Sequence, residues 1–366
     1  MSKTEKKDRK NIWNIVFIVA VILVVILVIL LNGDISETWQ TITNADYRWM
    51  LAAFGAWFVF MLLDAEDMHF FFRRQKIGIR YHHTVIASLI GMFYSNITPA
   101  ATGGQPMQVV SLRKHGVQPG VASSCLAVKF FSWEVALLLV GTIFWIIDPA
   151  AFGMTATKPV FFVILGYIIN GFIVAVVLLL VISPKLVDKL VNFILRIGKA
   201  LHLVKDLKQS RAKLDKSINE FNSSVYMIKH KPLQLISIIF INMLRVVALM
   251  SITYFVYRAV GLGVPGQGEL PVAGFLDILT IQTLLYITVS FFPMPGASGA
   301  QEFGFSGFFS AILGGKAGAM LLIWRFYTYY LMILFGFVGV LLDSIGKGRS
   351  RKAVEDKTDV SADTAV

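Results

Sequence analysis

The chain of 366 residues is 56% hydrophobic and only 15% charged, with a mean hydropathy of +0.69, whereas soluble domains carry about 25% charged residues. That excludes a soluble globular protein. The formal net charge of +12 would suit nucleic acid, but its placement along the chain assigns it to membrane orientation and anionic lipid instead. The single cysteine, Cys125, excludes a disulfide within the chain.

Residues 1–10 form a basic N-terminus with five Lys and Arg. Asn11–Leu31 follows, an apolar run of about the 20 residues that cross a bilayer core. It is too long for the apolar part of a signal peptide, and LNGDISE offers no small-x-small cleavage site, so it reads as an uncleaved anchor. Trp49–Leu63 is shorter but usable as a span. The stretch 84–110 is apolar yet interrupted by TPAATGGQP. Val121–Ile147 and Pro159–Ile182 are full spans.

The segment 183–232 is basic, and its first part is amphipathic. Leu186, Leu190, Phe193, Ile194, Ile197 and Leu201 recur at helical spacing, with Lys185, Lys189, Arg196 and Lys199 mostly off that stripe. Such a helix suits the surface of an anionic leaflet. Leu233–Tyr257 is the next full span. The stretch 273–313 is again apolar and again broken, by FFPMPGASGAQ, and Ala319–Leu342 is the last span. The polar tail 343–366 is expected to be disordered.

Basic residues near span ends fix orientation. With the N-terminus inside, the segments 1–10, 73–83, 111–120, 183–232 and 343–366 hold 27 of the 34 Lys and Arg, while the outside segments hold four. Lys129, Arg245 and Arg325 remain within spans. This split survives only if 84–110 and 273–313 each enter the membrane and leave on the same side. Proline and glycine at their centres break the helices there. The reading is an all-α polytopic membrane protein with about six full spans and two re-entrant broken-helix hairpins. The membrane domain covers 11–342.

The two breaks repeat a phrase. PAATGGQP at Pro99–Pro106 and PGASGAQE at Pro295–Glu302 share four of eight positions, and three more exchange small residues. Only Pro106 and Glu302 differ in kind. Three full crossings lie between the hairpins, so they enter from opposite faces. Matched broken segments of opposite orientation point to an inverted repeat with a binding site between its halves.

Enzyme signatures are weak. His69, His82, His83, His115, His202 and His230 show no metal-ligand spacing, and GASGA around Ser298 lacks the scaffold of a nucleophile elbow. Neither a metal nor a cofactor is expected. The ionisable residues Lys129, Glu134, Arg245, Asp277, Glu302 and Arg325 fall within membrane segments, where a charge costs at least about 2.5 kcal/mol at the bilayer centre. Lys129 and Glu134, five apart, do not face each other on a helix, so each is expected to find a partner on another helix. The alternatives are buried ion pairs that fix helix packing and a polar path for a ligand.

SNITPAATGGQPMQVVSLRKHG and FFPMPGASGAQEFGF resemble the lysylphosphatidylglycerol synthase transmembrane region, or flippase-like domain family, over about Ile12–Asp343. Its best-known setting is the membrane part of the bacterial multiple peptide resistance factor. The resemblance implies movement of aminoacylated phosphatidylglycerol between leaflets, with a bearing on resistance to cationic peptides. About twenty residues follow the last span, so no synthase domain and no lysyltransferase activity are expected. Gln105 and Gln108 stand where many relatives of that family carry an acidic and a basic residue.

A lipid headgroup fits these residues. Small residues at Gly103, Gly104, Gly296 and Gly299 would let backbone N–H groups approach a phosphate, and Thr102 and Ser298 would cap the half-helices. Gln105 and Gln301 add polar groups beside the breaks. Lys129, Arg245 or Arg325 would meet the phosphate, and Glu134, Asp277 or Glu302 an aminoacyl ammonium. The expected function is a lipid translocase in the bacterial cytoplasmic membrane with both termini inside. Its expected partners are its phospholipid substrate, anionic lipid at the 183–232 loop, a separate lipid synthase and a second copy of the chain. Two rivals are an intramembrane lipid transferase or its accessory subunit, and a scaffold that recruits a lipid-modifying enzyme.

Overall fold

The computed structural model describes residues 35–155, 160–183, 231–263, 272–290 and 294–344, with Phe292 and a few isolated positions between 185 and 219. The apolar run Asn11–Leu31, most of the basic segment 183–232 and the tail from 345 lie outside the described residues.

Among the described residues every regular element is helical. In chain order they are α1 (Ile35–Thr43), α2 (Tyr47–Arg74), α3 (Tyr81–Ile97), α4 (Gly104–Lys114), α5 (Pro119–Ile147), α6 (Val160–Ile182), α7 (Pro232–Ala259), α8 (Phe275–Val289), α9 (Ala300–Leu313) and α10 (Ala317–Arg325). A π-helical turn at Phe326–Tyr330 joins α10 to the last helical stretch, 331–344. Among the described residues five helices are long and apolar enough to cross a membrane: Tyr47–Arg74, Pro119–Ile147, Val160–Leu179, Pro232–Ala259 and Ala311–Ser344.

One expectation changes in extent. The span expected at Trp49–Leu63 is part of a 28-residue helix, α2, about 42 Å long at 1.5 Å per residue. Hydropathy falls at Asp64-Ala65-Glu66-Asp67, but the helix does not, because nothing there removes a backbone donor. Asp64 and Asp67 are 3% and 1% exposed. The Asp46 carboxylate caps the start by accepting the Arg48 N–H at 2.9 Å, and Arg73 and Arg74 occupy the last turn, where positive charge complements the helix dipole.

The core joins α2 to α7, with α5 and α8 packed against them. Trp57, Phe60, Val246, Ile252, Ile278 and Phe305 belong to one continuous buried cluster. Along α6 the residues Phe161, Phe162, Ile168 and Phe172 are exposed, which is the surface expected of a helix facing lipid.

Both interrupted stretches are hairpins. α3 turns back as α4 through a short 3-10 turn at Pro99–Ala101, and α8 turns back as α9 through one at Pro295–Ala297. The ends of the first hairpin lie together, because the His83 ring stacks on His115 with centroids 3.8 Å apart. Lys114 and Ser111 then bond Asp343 near the end of the last helix. The ends of the second hairpin lie at the other end of the bundle. Lys316 Nζ donates to the Val260 carbonyl at 2.9 Å, and the Ala273 N–H donates to Tyr257 Oη at 3.3 Å. Since the Asp46 N–H also bonds the Ala259 carbonyl, the starts of α2 and α8 share that end. The hairpins thus enter the bundle from opposite ends, and their 3-10 tips pack on each other.

Candidate functional site

The two tips have one conformation. Ala100 and Ala101 have φ of 50° and 54°, and Gly296 and Ala297 have φ of 57° and 49°. Left-handed backbone at three alanines is strained, so the tip is held by its surroundings rather than by glycine. Gly296 has a further reason to lack a side chain, because the Tyr329 ring occupies the place of its Cβ. The helices after the tips start at equivalent positions, Gly104 and Ala300.

Beneath the tips lies a cavity of about 370 Å³. The matched positions Ala100 and Gly296, Ala101 and Ala297, and Gln105 and Gln301 all line it. Its charged lining comes from four separate elements: Asp64 on α2, Lys129 and Glu134 on α5, Arg245 on α7 and Arg325 on α10.

Two ion-pair networks organise these charges. In the first, Asp64 Oδ2 accepts from Lys129 Nζ at 2.7 Å and from the Ser88 hydroxyl at 2.5 Å, while Oδ1 sits 2.5 Å from Arg245 Nη2. The Arg245 guanidinium lies over the Trp133 ring at 4.3 Å and the Phe60 ring at 5.0 Å. Asn242 bridges outward, donating to Asp67 at 2.8 Å and accepting from Arg245 at 3.2 Å. In the second network Arg325 Nε donates to Glu302 Oε1 at 2.6 Å, and Nη1 donates to Gln301 at 2.8 Å. Glu302 Oε2 accepts the Gly299 N–H at 2.6 Å, which closes the start of α9.

Lys129 therefore finds its partner on another helix, as its spacing from Glu134 required. Glu134 does not. It is 3% exposed and its Oε2 has no hydrogen-bond partner.

Several sequence expectations are corrected. Thr102 does not cap α4; its hydroxyl bonds the Pro99 carbonyl, and Thr98 accepts the Gly103 N–H instead at 2.9 Å. Ser298 makes no cap, because Glu302 serves that function. Gly103 and Gly104 do not line the cavity. A Cβ on Gly104 would meet Ser95 and the Gly91 carbonyl at 2.9 Å, so this glycine serves the close packing of α3 on α4. Gly299 and Glu302 do not line the cavity either. Asp277 is remote from it, accepting the Gly274 N–H at 2.7 Å at the start of α8.

Asp64 and Asp67 were missed because DAED looked like the polar flank of a short span. The signal was present, since Met68, Phe70, Phe71 and Phe72 resume the apolar pattern.

Cationic groups stacked on aromatic rings inside a helix bundle suit an anionic ligand of low hydration, since Arg pairs with phosphate oxygens in a planar fork. Among the described residues no three His, Cys, Asp or Glu side chains converge as metal ligands.

Comparison with known proteins agrees with this architecture. The family model described as lysylphosphatidylglycerol synthase TM region matches residues 15–336. A UPF0104 membrane protein of Archaeoglobus fulgidus is 24% identical over 319 residues, covering 83% of this chain and 89% of that protein. A UPF0104 membrane protein of Pyrococcus horikoshii is 23% identical over 320 residues, covering 84% and 90%. This multi-pass chain belongs to the family of the lysylphosphatidylglycerol synthase transmembrane region.

Proposed function

We propose that the protein is a lipid translocase that passes a phosphatidylglycerol-type phospholipid, aminoacylated or not, between leaflets. The observation that carries the reading is a cavity lined by Lys129, Arg245 and Arg325 inside an apolar bundle, under two hairpin tips that enter from opposite ends. The phosphodiester docks at Arg245 and Arg325, whose stacked guanidinium groups replace its hydration. The acyl chains stay in lipid. Gln105 and Gln301 face it from the two matched tips.

In this reading the hairpins are re-entrant within a membrane domain covering 11–342, and both termini lie inside the bacterial cytoplasmic membrane. The 183–232 segment rests on anionic lipid. A separate synthase supplies the lipid, and a second copy of the chain is a further partner.

The test is leaflet exchange in proteoliposomes, read as dithionite access to acyl-labelled phosphatidylglycerol. Arg325→Met and Arg245→Met should each slow exchange at least about tenfold, as expected for loss of a charged hydrogen bond worth roughly 1.5–3 kcal/mol. Unchanged exchange in both variants would sink the proposal. Covalent modification of labelled lipid by the purified protein would establish an enzyme instead.

A further inference from the structure

The charges around the cavity do not balance in a way that welcomes an anion. Asp64 engages both Lys129 and Arg245, and Glu302 engages Arg325. Asp67 is buried against Asn242. Among the described residues three cations thus face four carboxyl groups, and the fourth, Glu134, has no partner. Its Oε2 is enclosed, and Gln282 Oε1 on the same cavity wall is likewise without a hydrogen bond. Trp133, beside Glu134 in the chain, packs edge to face on Tyr286 at 6.2 Å, and both rings line the cavity. An ionised carboxylate in such surroundings is held at a cost, so it is the group there that takes up a proton most readily when a second anion arrives.

Resting on the lipid-translocase reading, we infer that the transport cycle carries a proton with the lipid, and that Glu134 binds it, one proton for each phosphodiester charge admitted. Two anions in one poorly hydrated cavity repel strongly. Arrival of the phosphodiester at Arg245 and Arg325 therefore favours uptake by Glu134 of a proton from the bulk aqueous phase to which the cavity is then open. The headgroup's negative charge then replaces that of the carboxylate, and the loaded cavity carries the same net charge as the empty one. On the far side the lipid leaves and Glu134 returns its proton to water. The charged and titratable groups facing this event are Asp64 and Asp67 from α2, Lys129 from α5, Arg245 from α7 and Tyr286 from α8. From α10 comes Arg325, held by Glu302. Among the described residues, the other acids named here are already engaged.

One lipid anion moved with one proton is electroneutral, which makes the inference testable. Proteoliposomes of phosphatidylcholine and phosphatidylglycerol carry acyl-labelled phosphatidylglycerol as probe. A gradient of two pH units should drive the probe toward one leaflet, up to about 100-fold at equilibrium because each unit is a factor of ten. A potassium diffusion potential alone should drive nothing. Entrapped pyranine should report proton movement on addition of probe lipid in the wild type and none in Glu134→Gln. Glu134→Gln should abolish the gradient-driven asymmetry and Glu134→Asp should restore it. Exchange that ignores the pH gradient, or asymmetry that survives in Glu134→Gln, overturns the inference while leaving the lipid reading intact. Absence of any exchange by the wild type, with or without a gradient, removes the lipid reading and this inference with it.

Discussion

At the scale of single residues, Asp64 is the hinge of the site. Its two oxygens hold Lys129 from α5 and Arg245 from α7, with Ser88 from α3 as a third donor. Removing its charge leaves two buried cations without a counter-ion. Breaking a buried pair in this way costs roughly 3–5 kcal/mol. Asp64→Asn should therefore lower the thermal midpoint in detergent far more than Ser88→Ala, and Asp64→Asn with Lys129→Met should recover part of the loss. A double variant no better than the single one would show that Lys129 is not the group left stranded. Glu302 differs, because its second oxygen also closes the start of α9. Glu302→Gln keeps an acceptor for the Gly299 N–H but weakens the hold on Arg325, so exchange should fall more than the melting temperature. The site was only half legible in the sequence for a physical reason. Lys129, Arg245, Arg325, Gln105 and Gln301 stand out as polar residues in apolar runs or repeated phrases, and all five line the cavity. Asp64 sits where a span seemed to end. Glycine at Gly103 and Gly104 carries no sign of whether it makes room for a ligand or for another helix.

At the scale of elements, the first hairpin is tied to the last helix by glycine. A Cβ on Gly336 would lie 2.7 Å from the Leu89 carbonyl and 2.9 Å from the Phe93 nitrogen, so α3 backbone would have to move. Gly171 on α6 has nothing within 4 Å of the same position. Gly336→Val should lower the midpoint by several degrees, against almost no change for Gly171→Ala, as read by thermal melting on size-exclusion profiles. Equal effects would mean that α3 does not rest on 331–344. The hairpin's entrance also carries a pH signature. Burial, then the neighbouring His115, His82 and Arg80, hold the His83 ring down to about 4, below the usual histidine range. The unfolded chain takes up a proton near 6.5, so between about 6.5 and 4 it binds more protons than the folded chain. Stability at this hairpin should thus decline as pH falls through that window. Melting temperatures from pH 7.5 to 5 should drop more steeply in the wild type than in His83→Gln, and parallel curves would contradict the assignment. The hairpins themselves were legible, since proline and small residues at both breaks leave the backbone no continuous helix. The tip conformation was not, because left-handed backbone at Ala100, Ala101 and Ala297 is imposed by tertiary packing.

At the scale of the whole molecule, the count of charges and the contacts bear on the same topology by separate routes. Counting Lys and Arg puts 27 on one side and four on the other only if both broken stretches return to the side they entered. The contacts bring His83 beside His115 at one end of the bundle, and Ala273 and Lys316 beside Tyr257 and Val260 at the other. A full crossing by either stretch would separate these pairs by the thickness of the bilayer core, about 30 Å. The same arrangement brings Asp148 after α5 to Asp277 at the start of α8, and burial together with the nearby Asp277 carboxyl raises the Asp148 carboxyl above the usual range. The sidedness then becomes an experiment. Cys125 is the only cysteine and is buried, so a Cys125→Ser background accepts single cysteines at chosen ends. Trp39→Cys and Asp148→Cys should react with a membrane-impermeant maleimide added outside intact cells. Lys76→Cys and Gly116→Cys should react only after the membrane is opened. Reversal of both pairs would invert the molecule but keep the hairpins. Labelling of Lys76→Cys and Gly116→Cys from opposite sides would mean that 84–110 crosses. The positive charge in 183–232 would then lie on the wrong face, and the paired entry on which the proposed lipid path depends would be lost.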